Sequence, residues 1–207
     1  MFFCRIKKLI LCCLFVLASF NTTYASSQVQ LSELPSGAYR LDKSHAYILW
    51  KISHLGLSSY IARFTDFDID LVLDSKDLSH SSVEAIVNAQ SISTENLSFD
   101  KQLQGSSWFN AEQFPKIRFV STAYKHIGGN KGELIGVLEL LGISHEVKFD
   151  VIVNGIIESH PFKSNTVAVG FSASSEIDRT KWGLDKFIGS VGKSVTIEIS
   201  GEFFRLK

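Results

Sequence analysis

Apolar and polar residues alternate with a period of two along most of this chain, most cleanly at residues 46–54. Ala46, Ile48, Trp50, Ile52 and His54 share one face; Tyr47, Leu49, Lys51 and Ser53 share the other. A period of two belongs to a strand with an inside and an outside, and the bulkier Trp50 face is taken as the inside. Residues 61–73 repeat the pattern, with Phe67, Ile69, Leu71 and Leu73 opposite Asp66, Asp68 and Asp70. Phe64 is out of phase with Phe67 by one residue, so a bulge near Thr65 is expected to turn both inward.

Further strands are predicted at 37–41, at 82–89 (Val83, Ala85, Val87), at 116–123 (Ile117, Phe119) and at 133–141 (Ile135, Val137). Segments 146–155 (Val147, Phe149, Val151, Val153), 167–177 (Val169, Phe171, Ala173) and 195–206 (Ile197, Ile199, Phe203) complete the set. Gly128-Gly129-Asn130 and Leu141-Gly142-Ile143-Ser144 read as hairpin turns. Residues 91–114 lose the period. They are expected to hold one short helix, N-capped by Thr94 and ending near Gln104-Gly105, followed by the aromatic cluster Trp108, Phe109 and Phe114. About eight substantial strands with one helical excursion describe an all-β, antiparallel barrel or sandwich in a single domain. An eight-stranded barrel is just wide enough to be filled by its own side chains or to hold one small ligand. A deep aromatic interior suits one long apolar chain, although a packed core would show the same alternation.

Composition changes the picture at the N-terminus. Arg5, Lys7 and Lys8 precede an apolar run at 9–20, and Thr23-Tyr24-Ala25 offers small residues around a cleavage point. The run is short for a membrane span, so residues 1–25 read as a secretory signal peptide cut after Ala25. Residues 26–36 follow as a linker and 37–207 as the barrel domain, which is expected to be secreted and not integral to a membrane. Cys4, Cys12 and Cys13 all lie in the leader, so the mature domain has no thiol for a disulfide or metal site. Loss of the three basic leader residues leaves 18 Lys+Arg of the 21 against 21 Asp+Glu, a formal net of −3. With no basic cluster, nucleic acid is excluded as a partner.

A set of short motifs, in order from Tyr39 to the end of the chain, resembles the YceI-like family of periplasmic polyisoprenoid-binding proteins. They are Tyr39-Arg40-Leu41-Asp42 with Ser44-His45, His54-Leu55-Gly56, Phe64-Thr65-Asp66-Phe67 and Ser91-Ile92-Ser93-Thr94. Trp108-Phe109-Asn110, Phe114-Pro115-Lys116-Ile117-Arg118-Phe119, Gly136-Val137-Leu138 and Gly142-Ile143-Ser144 continue it. Gly170-Phe171-Ser172, Ile177-Asp178-Arg179, Trp182-Gly183-Leu184 and Val191-Gly192 close it. The resemblance implies an extended lipocalin-like barrel that binds a long polyprenyl chain or similar lipid without covalent chemistry or a cofactor. Where the family often has Arg-Asp followed by His-Leu, this chain reads Phe99-Asp100-Lys101-Gln102-Leu103, with Phe99 extending the apolar lining instead.

The lining candidates are Ile48, Trp50, Ile52, Phe64, Phe67, Trp108, Phe109, Phe119, Phe149, Phe171 and Trp182. His45 and His54 are assigned to the rim. Arg179 and Lys181 are the candidates for an anionic head group, because an arginine presents a planar fork to phosphate oxygens. The metal set Asp42, His45 and His54 lacks a short-spaced ligand pair, so no metal is expected. Asp66, Asp68 and Asp70 lack the glycine and glutamate of a calcium loop and read as solvated outer-face residues. Gly192-Lys193-Ser194 lacks the upstream glycine of a phosphate loop, and Gly170-Phe171-Ser172-Ala173-Ser174 fails as a nucleophile elbow. No catalytic residues are assigned. The alternatives are a barrel enzyme of isomerase or cyclase type, for which His54 and Arg63 are the titratable groups near an interior face, and a filled interaction scaffold. The expected partner is a long-chain isoprenoid or other apolar lipid, with a homodimer left open.

Overall fold

A computed structural model describes Val29, residues 31–163 and residues 165–207; the leader residues 1–25 lie outside the described residues. The longest strand, β1 (Gly37–His54), pairs along almost its whole length with the last, β10 (Val191–Arg205), from Tyr39 opposite Arg205 to His54 opposite Val191. That pairing closes the sheet. From β10 the ring runs through β9 (Ala168–Asp178), β8 (Ile143–Ile157), β7 (Lys131–Leu140), β6 (Lys116–Gly128), β4 (Ser82–Asn88) and β3 (Phe67–Leu73) back to β1. Every pairing round the ring is antiparallel: of the barrel or sandwich that the alternation allows, the structure is the eight-stranded barrel that the resemblance implies. Closure leaves the ring without exposed strand edges. β2 (Ser58–Phe64) and β5 (Ile92–Ser93) extend the wall beyond β3 and β4 at one end, called here the mouth. The helix α1 (Leu97–Gln104) sits at that end too.

Two strands predicted separately, 37–41 and 46–54, are one. Register shifts between Asp42 and Ala46, so residues 43–45 bulge out of the ladder. The bulge resets the phase, allowing Tyr39 and Leu41 below it and Ile48 above it to face inward despite their odd spacing. The reverse happens at 61–73. The strand breaks at Thr65-Asp66 into β2 and β3, and both Phe64 and Phe67 are buried, as their spacing requires.

Three expectations are corrected. The segment 26–36 is not only a linker, because Leu34 is buried in the core and Tyr39 Oη donates to Pro35 O at 2.5 Å, closing the base. Asn96, not Thr94, caps α1, accepting from the main-chain N–H of Ser98 (3.1 Å) and Phe99 (3.3 Å). Thr94 is drawn instead to the buried Asp100, donating from Oγ1 at 2.6 Å and from N at 2.7 Å. In β7 the apolar positions read from the sequence, Ile135 and Val137, face outward, while Leu134, Leu138 and Leu140 face in. The inward face hides because Gly132 and Gly136 occupy its alternate positions. A Cβ on Gly132 would lie 2.0 Å from Tyr124 Oη, and one on Gly136 would lie 2.4 Å from Phe119 Cζ. Two aromatic rings take the space that side chains would need.

The outer face carries charge. Asp68 and Asp70 pair with Lys43 (3.2 Å) and Arg40 (3.6 Å), and Lys51 meets Glu198 at 2.6 Å. Among the described residues no helix is long and apolar enough to cross a membrane.

Candidate functional site

The inward faces of these strands do not fill the barrel. A chamber of about 570 Å³ opens at the mouth and runs down the wall built by Ile48, Trp50, Ile52 and His54 of β1. Its volume lies within the roughly 300–1,000 Å³ of small-molecule sites. β2 contributes Tyr60 and Phe64, α1 contributes Phe99, Gln102 and Leu103, and the loop after it contributes Trp108 and Phe109. The aromatic rings brace one another. Tyr60 meets Phe99 edge-on at 5.6 Å, Phe64 meets Phe109 edge-on at 5.7 Å, and Trp108 stacks on Phe187 at 6.1 Å.

Polar lining is sparse and gathers towards the mouth, from His54, Ser58, Gln102, Arg179 and Ser190. Among the described residues no lysine lines the chamber. Trp50 Nε1 is buried and has no hydrogen-bond partner among the described residues. An indole N–H is a donor only, and leaving it unmet costs about 1–3 kcal/mol. Large apolar side chains ring the opening in solvent. Leu55 and Leu57 form the β1–β2 turn, where Leu55 (φ 56°) and Gly56 (φ 66°) are both left-handed. Leu57 is 84% exposed, and Phe187 on the facing loop is 61% exposed. Leu55 N donates to Ser190 O at 2.6 Å, joining turn to loop.

Of the lining candidates, Ile48, Trp50, Ile52, Phe64, Trp108, Phe109, Phe119 and Phe149 face this chamber. Phe171 lines a smaller apolar chamber of about 140 Å³ towards the base, which Phe119 and Phe149 also border. Phe67 and Trp182 are buried but line neither chamber. Trp182 Nε1 donates to Leu138 O at 3.3 Å and the ring takes the edge of His145, so its role is packing. Phe99, absent from those candidates but favoured by its place in the helical excursion, does line the mouth chamber. Phe99 and Leu103 are four apart on one helix face, a spacing visible in the sequence. Phe187 carries no such signal, because it sits in an irregular loop at φ 56°.

The head-group candidates are relocated. Arg179 is 3% exposed and lies in a short 3₁₀ turn, Arg179–Trp182, capped by Asp178 and ended by Gly183 at φ 75°. Its Nε donates to Gly192 O (2.7 Å), its Nη2 to Lys186 O (2.8 Å) and Val191 O (3.2 Å), and its Nη1 to Leu184 O. The fork that would meet a phosphate is occupied by the main chain of the mouth loop. Lys181 lines neither chamber. His54 stands at the mouth, but His45 lies in the β1 bulge on the outer wall, its Nδ1 2.9 Å from Asp42 Oδ2. That hydrogen bond raises the His45 pKa and lowers that of Asp42. Glu202 joins them, with donor atoms of all three within 4.8 Å of one another. His54 is nine residues further along the strand, about 30 Å, so the set of Asp42, His45 and His54 does not assemble. Arg63, considered for an enzyme, points to solvent.

Three comparisons place this architecture. The YceI-like domain matches residues 39–203. A UPF0312 protein of Staphylococcus epidermidis is 34% identical over 171 residues, spanning 80% of this chain and 96% of the relative. BcnA of Burkholderia cenocepacia superposes with a TM-score of 0.69 at 20% identity, over 78% of this chain and 98% of that one. A polyisoprenoid-binding domain from Saccharophagus degradans, implicated in plant cell wall breakdown, superposes at 0.59 with 10% identity, over 81% and 98%. At such identities the two structures share the fold with this chain.

Proposed function

This chain belongs to the YceI-like family, and from that premise and the chamber's chemistry we propose that it binds one long-chain isoprenoid with a neutral head group. Quinones and polyprenols are of this class. The tail lies in the barrel and no covalent step is involved. The observation that carries this is the chamber itself: about 570 Å³, apolar and aromatic, opening beside a few polar groups at the mouth. A polyisoprenoid-binding domain of the same fold supports the class of ligand. Each buried methylene contributes about 0.8 kcal/mol gross, so a five-carbon isoprene unit contributes on the order of 4 kcal/mol before ordering costs.

The neutral head group follows from the cations. Arg179 is engaged by four carbonyls and no lysine among the described residues lines the chamber, so a phosphate drawn inside would be desolvated without a lysine or a free guanidinium to pair with. A carbonyl or hydroxyl oxygen can instead accept from the serine and glutamine groups near the mouth. The basic and apolar start of the sequence supports secretion, with the periplasm as the working compartment.

Tryptophan fluorescence titration tests both parts. Polyprenol and a long-chain quinone are expected to perturb the emission saturably, with polyprenyl phosphate binding about tenfold or more weakly. Tighter binding of the phosphate would overturn the neutral head group, and no response to any of the three would overturn lipid binding.

A further inference from the structure

The barrel holds two apolar chambers end to end, and the same four residues, Ala85, Phe119, Phe149 and Ile199, border both. We propose that Phe119 and Phe149 form the floor of the ligand chamber and set the longest isoprenoid chain the barrel accepts, the lower chamber staying empty behind them. This rests on the isoprenoid reading above.

Phe119 on β6 and Phe149 on β8 reach inward from either side of β7 and meet edge to face, ring centres 5.3 Å apart at 76°. Both are almost fully buried. Ile199 on β10 comes from the opposite wall, four strands round the ring from β6. The Phe119 ring is fixed from behind. It lies against the β7 backbone at Gly136, where a Cβ would stand 2.4 Å from its Cζ and 2.5 Å from Val120 O. Only glycine leaves that slot, so the ring has wall on one side and Phe149 on the other. A tail descending past Trp50 therefore ends on two interlocked rings.

The space behind the floor is small. The lower chamber of about 140 Å³ is lined by side chains such as Leu71, Leu134, Phe171 and Ala173, with Tyr124 beside them. It is close to the engineered apolar cavity of about 150 Å³ that takes up one benzene, so it has room for roughly one more isoprene unit. Tyr124 Oη is buried at this level without a partner among the described residues, pressed against the backbone of Gly132. Removing the floor should thus lengthen the accepted chain by a defined and small step.

A ladder of polyprenols of increasing length, offered as an equimolar mixture and read by native mass spectrometry, tests this. Wild-type protein is expected to show a length cut-off. Phe119→Ala, or the milder Phe119→Leu where the alanine variant lacks a native near-ultraviolet spectrum, moves it about one isoprene unit longer. Ala173→Leu, which fills the lower chamber, leaves the wild-type cut-off in place, and combined with the Phe119 variant it restores that cut-off. An unchanged cut-off in a folded Phe119 variant, or a shorter one in Ala173→Leu alone, would overturn the floor. Wild-type protein that loads no polyprenol contradicts the isoprenoid reading instead.

Discussion

Arg179 anchors the mouth loop through the carbonyls of Leu184, Lys186, Val191 and Gly192. A buried polar group left unmet costs about 1–3 kcal/mol, and glutamine can replace only part of the set. Arg179→Gln is therefore expected to lower unfolding stability by on the order of 3 kcal/mol in urea, and to speed hydrogen exchange at 184–192. An unshifted midpoint would show that the loop holds without it. The sequence made Arg179 look like a phosphate ligand because its actual partners are main-chain oxygens, which leave no trace in residue identity.

His45 offers a second test at this scale. Its hydrogen bond to Asp42 raises its pKa, with the charges of Asp42 and Glu202 adding to the effect, while Asp42 is lowered chiefly by the same bond. Lys163 also favours the ionised Asp42. A raised histidine stabilises fully below its unfolded value of about 6.5, and that contribution is lost as pH rises through the folded pKa. A lowered aspartate stabilises above about 3.9, and that contribution is lost as pH falls through its folded pKa. The pair is at full strength between roughly pH 4 and 6.5. An imidazole titration by NMR should place His45 above 6.5 or so, and Asp42→Asn should return it towards that value. A His45 shift that survives the substitution would contradict the assignment.

Elements were legible where apolar side chains mark one face and obscured where something else did. Residues 46–54 and the β8 and β9 segments carry apolar groups at most alternate positions, and their inward faces match the alternation. β7 misleads because its inward face alternates glycine with leucine, the missing volume being supplied by Tyr124 and Phe119 from β6. The β1 bulge misled in another way: the four polar residues 42–45 looked like a gap between strands, yet the ladder to β10 runs through Asp42 and resumes at Ala46. At α1 the sequence pointed to Thr94 as the cap, but the buried carboxylate of Asp100 takes Thr94, and Asn96, two residues on, caps the helix. Asn96→Ala should cost about 1 kcal/mol, lowering the melting temperature by about 2–4 °C. Thr94→Val should also destabilise, because it removes one hydrogen bond to a buried carboxylate. Thermal melts of the two variants separate the cap from the tether, and an unshifted Asn96→Ala melt would contradict the cap assignment.

For the whole molecule, the barrel could be read from the alternation together with the ordered motifs from Tyr39 onward, which the YceI-like match over residues 39–203 bears out. Whether the barrel was hollow could not be read. A filled core and a lined chamber use the same period of two, and the difference lies in summed side-chain volumes around a closed ring. A ligand that binds only the native barrel stabilises it by about 2.7 kcal/mol at one hundred times its dissociation constant. For a domain of this size that is a rise of roughly 5–10 °C in melting temperature. The most direct measurement is a mass spectrum of the organic extract from protein purified without added lipid. A neutral isoprenoid recovered in near-stoichiometric amount is the expected result. An extract with no isoprenoid, from protein whose chamber then takes up neither polyprenol nor quinone, would contradict it.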